Sequence, residues 1–150
     1  MLFPVSVGGV SFQDMHHPWR SLREREDITL HWADLPAPLH AVTDGTTVWM
    51  HDRLLQTERR CAIAHELVHI ERGTRCVDDA EEQRIRRITA QRLIDTADLI
   101  EACKWANTVE EAADELWVTP EVLTDRLTGL SPIEQALINH AIKTAWHQEH

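Results

Sequence analysis

The feature that most constrains this chain is the run His65-Glu66-Leu67-Val68-His69. Two histidines four apart share a face only if the backbone is helical, so the pattern asks for a helix. The surroundings agree. Cys61, Ala62, Ala64, Leu67, Val68 and Ile70 supply an apolar face, and Gly73 is a natural stop. Thr57 is the expected cap of a helix that starts near Glu58 and runs for about four turns, with Arg59 and Arg60 in its first turn reaching solvent. On such a helix His65 and His69 can grip one metal ion, and Glu66 stands beside them to take a proton from metal-bound water. The leading expectation is a soluble zinc-dependent peptidase.

A catalytic zinc has three protein ligands and an open position. The nearest candidates for the third are Asp78, Asp79, Glu81 and Glu82, because no histidine lies between His69 and His140. A carboxylate is therefore the more economical third ligand. Glu81 and Glu82 point in different directions on one helix, so at most one serves comfortably, and spacing alone leaves the choice open.

The elements around the motif suggest an α+β unit. Residues 21–26 read as a short charged helix after an irregular arm over residues 1–19. Ile28 to Trp32 alternates as a strand does, and Asp34 to Pro38 breaks structure. Asp44-Gly45 between two β-rich runs signals a hairpin. The expectation is a three-stranded antiparallel sheet before the motif helix, with the edge near residues 46–50 able to take an added strand of substrate. Beyond an acidic loop at 74–79, a long helix is expected from about Ala80 to Ala102. Its inward stripe is Ile85, Ile88, Leu93, Ala97 and Ile100. Three capped helices then follow, opened by Thr108 with Glu111, by Thr119-Pro120, and by Ser131-Pro132 with Glu134. The chain reads as one domain over 1–150, with 108–150 a helical extension packed on it. Trp105, Trp117 and Trp146 are expected in its core.

Composition narrows the partners. Lys and Arg total 15 against 25 Asp and Glu, a formal charge of -10, which opposes broad binding of nucleic acid. Cys61, Cys76 and Cys103 form no C-x-x-C pair, and no stretch is long and apolar enough to span a bilayer. A cytoplasmic setting and no membrane partner are expected. Residues 109–127 resemble a helix-turn-helix, but the second helix offers only Arg126 beside Glu121 and Asp125. Nucleic acid is therefore the weaker alternative. The other alternative is a non-catalytic interaction protein that keeps zinc for stability. His31, His51 and His140 are the further imidazoles within reach of a role in stabilising an oxyanion.

Arg59-Arg60-Cys61-Ala62-Ile63-Ala64-His65-Glu66-Leu67-Val68-His69, together with Ile88-Thr89-Ala90-Gln91-Arg92-Leu93-Ile94, resembles the ImmA/IrrE family of zinc metallopeptidases, associated with phage and mobile-element immunity. The resemblance centres on residues 28–94. It implies a zincin-like fold, a gluzincin-like site and Glu82 as the third ligand, beside His65 and His69, with Glu66 as general base. It also implies a protein substrate, a repressor-like regulator cut at a specific bond.

Overall fold

A computed structural model describes residues 17–73 and 78–149. Residues 1–16 of the arm expected over 1–19, and the loop residues 74–77 with Cys76, lie outside the described residues, while Pro18 and Trp19 of that arm are helical. The fold is α+β. Its elements are α1 (Pro18–Arg23), β1 (Thr29–Ala33), β2 (Ala41–Thr43), β3 (Thr47–His51), α2 (Gln56–Arg72), α3 (Asp79–Leu93), α4 (Thr96–Trp105), α5 (Val109–Leu116), α6 (Pro120–Thr128) and α7 (Pro132–Glu149).

The sheet is mixed, which corrects the antiparallel expectation. Its order is β1-β3-β2, with β1 parallel and β2 antiparallel to β3. Local chemistry dictated only the hairpin. The Asp44 carboxylate accepts from Thr46 N at 3.0 Å and Thr47 N at 2.8 Å, while Gly45 takes the positive φ of 105° that the turn requires. The longer connection over 34–40 carries no such instruction, and it delivers β2 to the far side of β3. β3 is therefore central and paired on both flanks, so residues 46–50 cannot accept an added strand. Among the described residues the sheet's edges are β1 and β2.

Helix α2 begins earlier than Thr57 suggested. Leu55 is its N-cap residue, and the Glu58 carboxylate reaches back to accept the Leu55 N–H at 2.9 Å. That bond satisfies one of the donors that every helix start leaves orphaned. At the other end Gly73 adopts φ 69° and donates to His69 O and Ile70 O.

Helix α2 is buried on two sides. Ala62, Ile63 and Leu67 pack with Val48 and Met50 of β3 and with Leu22 of α1. Cys61 and Ala64 join a separate helical core that includes Leu93, Ile94, Leu99, Leu116, Leu123 and Ile138. Two-sided burial holds the motif helix as a rigid beam between sheet and helices.

The long helix expected over 80–102 is two helices. It breaks at Ile94, which is extended and fully buried, and Asp95 caps α4 by accepting from Asp98 N at 2.8 Å. The break lets the two halves bury their apolar faces against different neighbours, since α3 packs on α2 and α6 while α4 packs on α5 and α7. The later caps form as read, except that the Glu111 carboxylate accepts from Asn107 N at 3.0 Å and not from Thr108 N. Thr108, Thr119 and Ser131 each accept from the backbone three residues on, and Glu134 returns the bond to Ser131 N. Trp105, Trp117 and Trp146 are not core residues; each is more than half exposed. Among the described residues no helix is long and apolar enough to cross a membrane.

Candidate metal centre

His65 and His69 sit one turn apart on α2, their ring centroids 4.8 Å apart. Facing them is the first turn of α3. The start of that helix is fixed by Asp78, whose side chain accepts from Glu81 N at 2.8 Å and whose carbonyl accepts from Glu82 N at 3.0 Å. Neighbouring helical residues diverge by about 100°, and Glu81 and Glu82 part accordingly. Glu81 turns to Arg72, the last residue of α2, in a two-bond pair at 2.7 and 2.9 Å, and it also takes Arg84 at 2.8 Å. These guanidinium bonds hold the Glu81 carboxyl at about 2. Glu82 turns inward. Its Oε1 stands 2.8 Å from His65 Nε2 and its Oε2 3.1 Å from His69 Nε2. The Arg72–Glu81 pair thus staples the end of α2 to the start of α3 and sets the register that brings Glu82 to both imidazoles.

One detail bears on what this cluster holds. His65 Nε2 is buried 2.8 Å from Glu82 Oε1 without the alignment of a well-formed hydrogen bond. At that separation only poor alignment of N–H with oxygen prevents a bond. The contact brings two lone-pair atoms, an imidazole nitrogen and a carboxylate oxygen, close together in poor hydrogen-bond alignment. Donors around a tetrahedral zinc, with bonds near 2.0–2.2 Å, stand roughly 3.4 Å apart. The separations here are a few tenths of an ångström shorter. Two imidazoles and a carboxylate therefore fit one small divalent ion with little adjustment.

Electrostatics favour the same use. Burial pushes the His65 imidazole down, against the pull of Glu82, and a neutral imidazole keeps its lone pair. Glu66 is 6 % exposed, and burial with the nearby Glu82 charge pushes its carboxyl up to about 7. A bound cation would hold His65 in that neutral, ligating form and draw Glu66 back toward its charged form.

No fourth His, Cys, Asp or Glu among the described residues joins His65, His69 and Glu82. His31, His51 and His140 are not part of the cluster. A second grouping, Asp34, His51 and Asp52, lies at the ends of β1 and β3; both aspartates are exposed. His51 Nδ1 there lies 3.3 Å from Asp52 and from Arg53 N.

Arg126, the one basic residue of α6, is buried at 4 % exposure. It donates to Ile94 O at 2.8 Å, Thr96 Oγ1 at 3.2 Å and Glu134 Oε2 at 2.6 Å. Arg59 and Arg60 do not reach freely into solvent as expected. Arg59 stacks over the Trp32 ring at 4.9 Å, and Arg60 donates to Trp117 O at 2.7 Å. Residues this far apart in the chain left no signal in the sequence beyond their types. Compared with known proteins, the chain matches no family model, no curated protein and no solved structure.

Proposed function

We propose that this chain is a zinc-dependent endopeptidase of the kind the ImmA/IrrE resemblance implies, with a zincin-like arrangement of helix and sheet. The observation that carries the reading is the convergence of His65, His69 and Glu82, whose ligand-capable atoms all lie within 4.8 Å of one another. In this reading His65 and His69 supply neutral nitrogens and Glu82 a carboxylate oxygen. The three-donor set leaves a coordination position open, as catalysis needs and a structural zinc does not. Bound there, zinc supplies Lewis acidity that activates water and polarises a peptide carbonyl. Glu66 neighbours His65 on α2. It takes the proton from the attacking water and returns it to the leaving amine. Glu81 has no part in the chemistry, because both its oxygens serve Arg72 and Arg84.

The substrate in this reading is a protein, a repressor-like regulator held as an extended strand. The edge strand that packs against α2 is β2, so the substrate strand adds there. A regulator of DNA-bound processes, but not DNA itself, is the partner this charge favours. The single basic residue of α6 is buried, so that helix presents no cation to phosphate. Cys61 and Cys103 are free thiols, in keeping with the cytoplasm.

The test uses protein purified without a histidine tag. About one zinc per chain is expected, and Glu66→Gln should keep that zinc while losing on the order of 10²–10⁴-fold of cleavage of the regulator encoded beside it. Cleavage at full rate by Glu66→Gln would remove the mechanism.

A further inference from the structure

Away from the metal centre, α1, the start of α2 and the turn between α5 and α6 enclose a cleft of about 400 Å³. Trp19, Arg20, Arg23, Arg60 and Trp117 are among its walls. A second cleft of about 360 Å³ shares Trp19, Arg60 and Trp117 and adds Arg59. The two clefts adjoin through these shared residues as one groove, and both are lined by indole and guanidinium. In a chain of net charge -10 this is an unusual concentration of positive charge.

Two observations show that the groove is not ordinary surface. First, Arg20 and Arg23 at its mouth, unlike most other arginines of the chain, face no carboxylate among the described residues. Arg72, Arg86, Arg92 and Arg126 each hold a carboxylate. Arg20, Arg23 and Arg59 hold none among the described residues. Second, Trp117 is 65 % exposed and sits at φ 59°. A left-handed backbone disfavours a bulky residue by about 1–2 kcal/mol, and an exposed indole recovers little of this by burial. Glycine would close α5 more favourably. Folding therefore does not account for the indole, and its place on the groove does. Its carbonyl is anchored by Arg60, so the ring is presented from a fixed backbone.

We propose that this groove docks an acidic segment of a partner protein, with Asp or Glu side chains on Arg20 and Arg23 and apolar side chains against Trp19 and Trp117. Guanidinium forks match carboxylates, and indole faces take the intervening apolar groups. Guanidinium and indole side by side suit a chain that carries both carboxylates and apolar groups better than a compact anion. A long polyanion such as nucleic acid would meet the repulsion of the remaining surface, whereas a short acidic segment engages only the local positive field. Docking does not depend on the peptidase reading, since no groove residue named here belongs to the metal cluster.

The experiment is fluorescence anisotropy of a labelled, Glu- and Leu-rich peptide with the full chain at about 0.1 M salt, near one Debye length of 10 Å. A Gln-for-Glu analogue and a single-stranded oligonucleotide of similar length serve as comparisons. The acidic peptide should bind and its analogue should not. The double substitution Arg20→Gln with Arg23→Gln, both on exposed positions, should weaken binding about fivefold or more. Trp117→Gly should weaken it as well while folding normally, because glycine suits that backbone and the bond from Arg60 goes to the main chain. Failure of the acidic peptide to bind, equal binding of the analogue, or unchanged affinity in both variants would each overturn the proposal. So would an oligonucleotide that binds more tightly than the peptide and loses affinity in the arginine variant.

Discussion

Arg126→Met should destabilise the protein by about 2–3 kcal/mol at neutral pH, and this cost should shrink in acid. Methionine keeps much of the arginine stem and removes the guanidinium. The loss has two parts. The bond from Nε to Ile94 O, 2.8 Å long, caps a carbonyl at the break between α3 and α4, where Ile94 is fully buried. A charge-assisted bond of this kind contributes about 1.5–3 kcal/mol. The pair with Glu134 is the second part. Breaking a fully buried pair costs about 3–5 kcal/mol. The two figures overlap and do not add, because one guanidinium makes both interactions; with the arginine end 4 % and the glutamate end 19 % exposed, water also relieves part of the loss, which leaves about 2–3 kcal/mol. The pH dependence follows from Glu134. The Arg126 guanidinium, then the Thr96 hydroxyl and Ser131 N–H, hold its carboxyl at about 2, well below the usual carboxylate range. A lowered folded value means the stabilisation is complete above the usual range and is lost as pH falls toward 2. Urea unfolding at pH 7 and at about pH 3 reads both effects, since the midpoint shifts with stability at constant slope. The Glu134 share of the difference should fade between those conditions, while the Ile94 share persists. A difference below about 1 kcal/mol at pH 7, or one unchanged in acid, would refute the reasoning.

Other outcomes test the metal centre. Glu82→Gln should weaken zinc binding sharply, whereas Glu81→Gln should leave it close to native; equal affinities by competition with a chromophoric chelator would mean that Glu82 is not the ligand. Zinc at about 100 times its dissociation constant should add about 2.7 kcal/mol to stability. Calorimetry should show this as a rise in Tm of the native chain that Glu82→Gln lacks.

Much of the local structure was legible in the sequence because it is set by bonds between near neighbours. Asp44-Gly45 wrote its own turn. Gly73 ended α2, and Thr108, Thr119 and Ser131 opened their helices through bonds to the residue three places on. The spacing of His65 and His69 placed both imidazoles on one face of α2 without any knowledge of the rest of the fold. What failed was whatever depended on distant partners. The flanks of β3 were decided by where the connection over 34–40 could lead, and no turn residue specifies that. The break at Ile94 was decided by packing: the two halves bury their apolar faces against different neighbours, α6 and α7 among them, although the Asp95 cap was visible in the chain.

The same division runs through the candidate site. Sequence determined the residue types, the helix that carries His65, Glu66 and His69, and the need for a nearby carboxylate. It left Glu81 and Glu82 open, because both begin one helix and either could border the core. The tertiary structure separated them, since Arg72 at the end of α2 captures Glu81 and leaves Glu82 to face the histidines. Arg126 and Trp117 make the point in reverse. Their types suggested a surface cation and a core aromatic, and packing made them a buried cation and an exposed aromatic. A side chain's type sets what it can do. Whether it meets water, a carboxylate or another helix is fixed only when chain segments far apart in sequence come together.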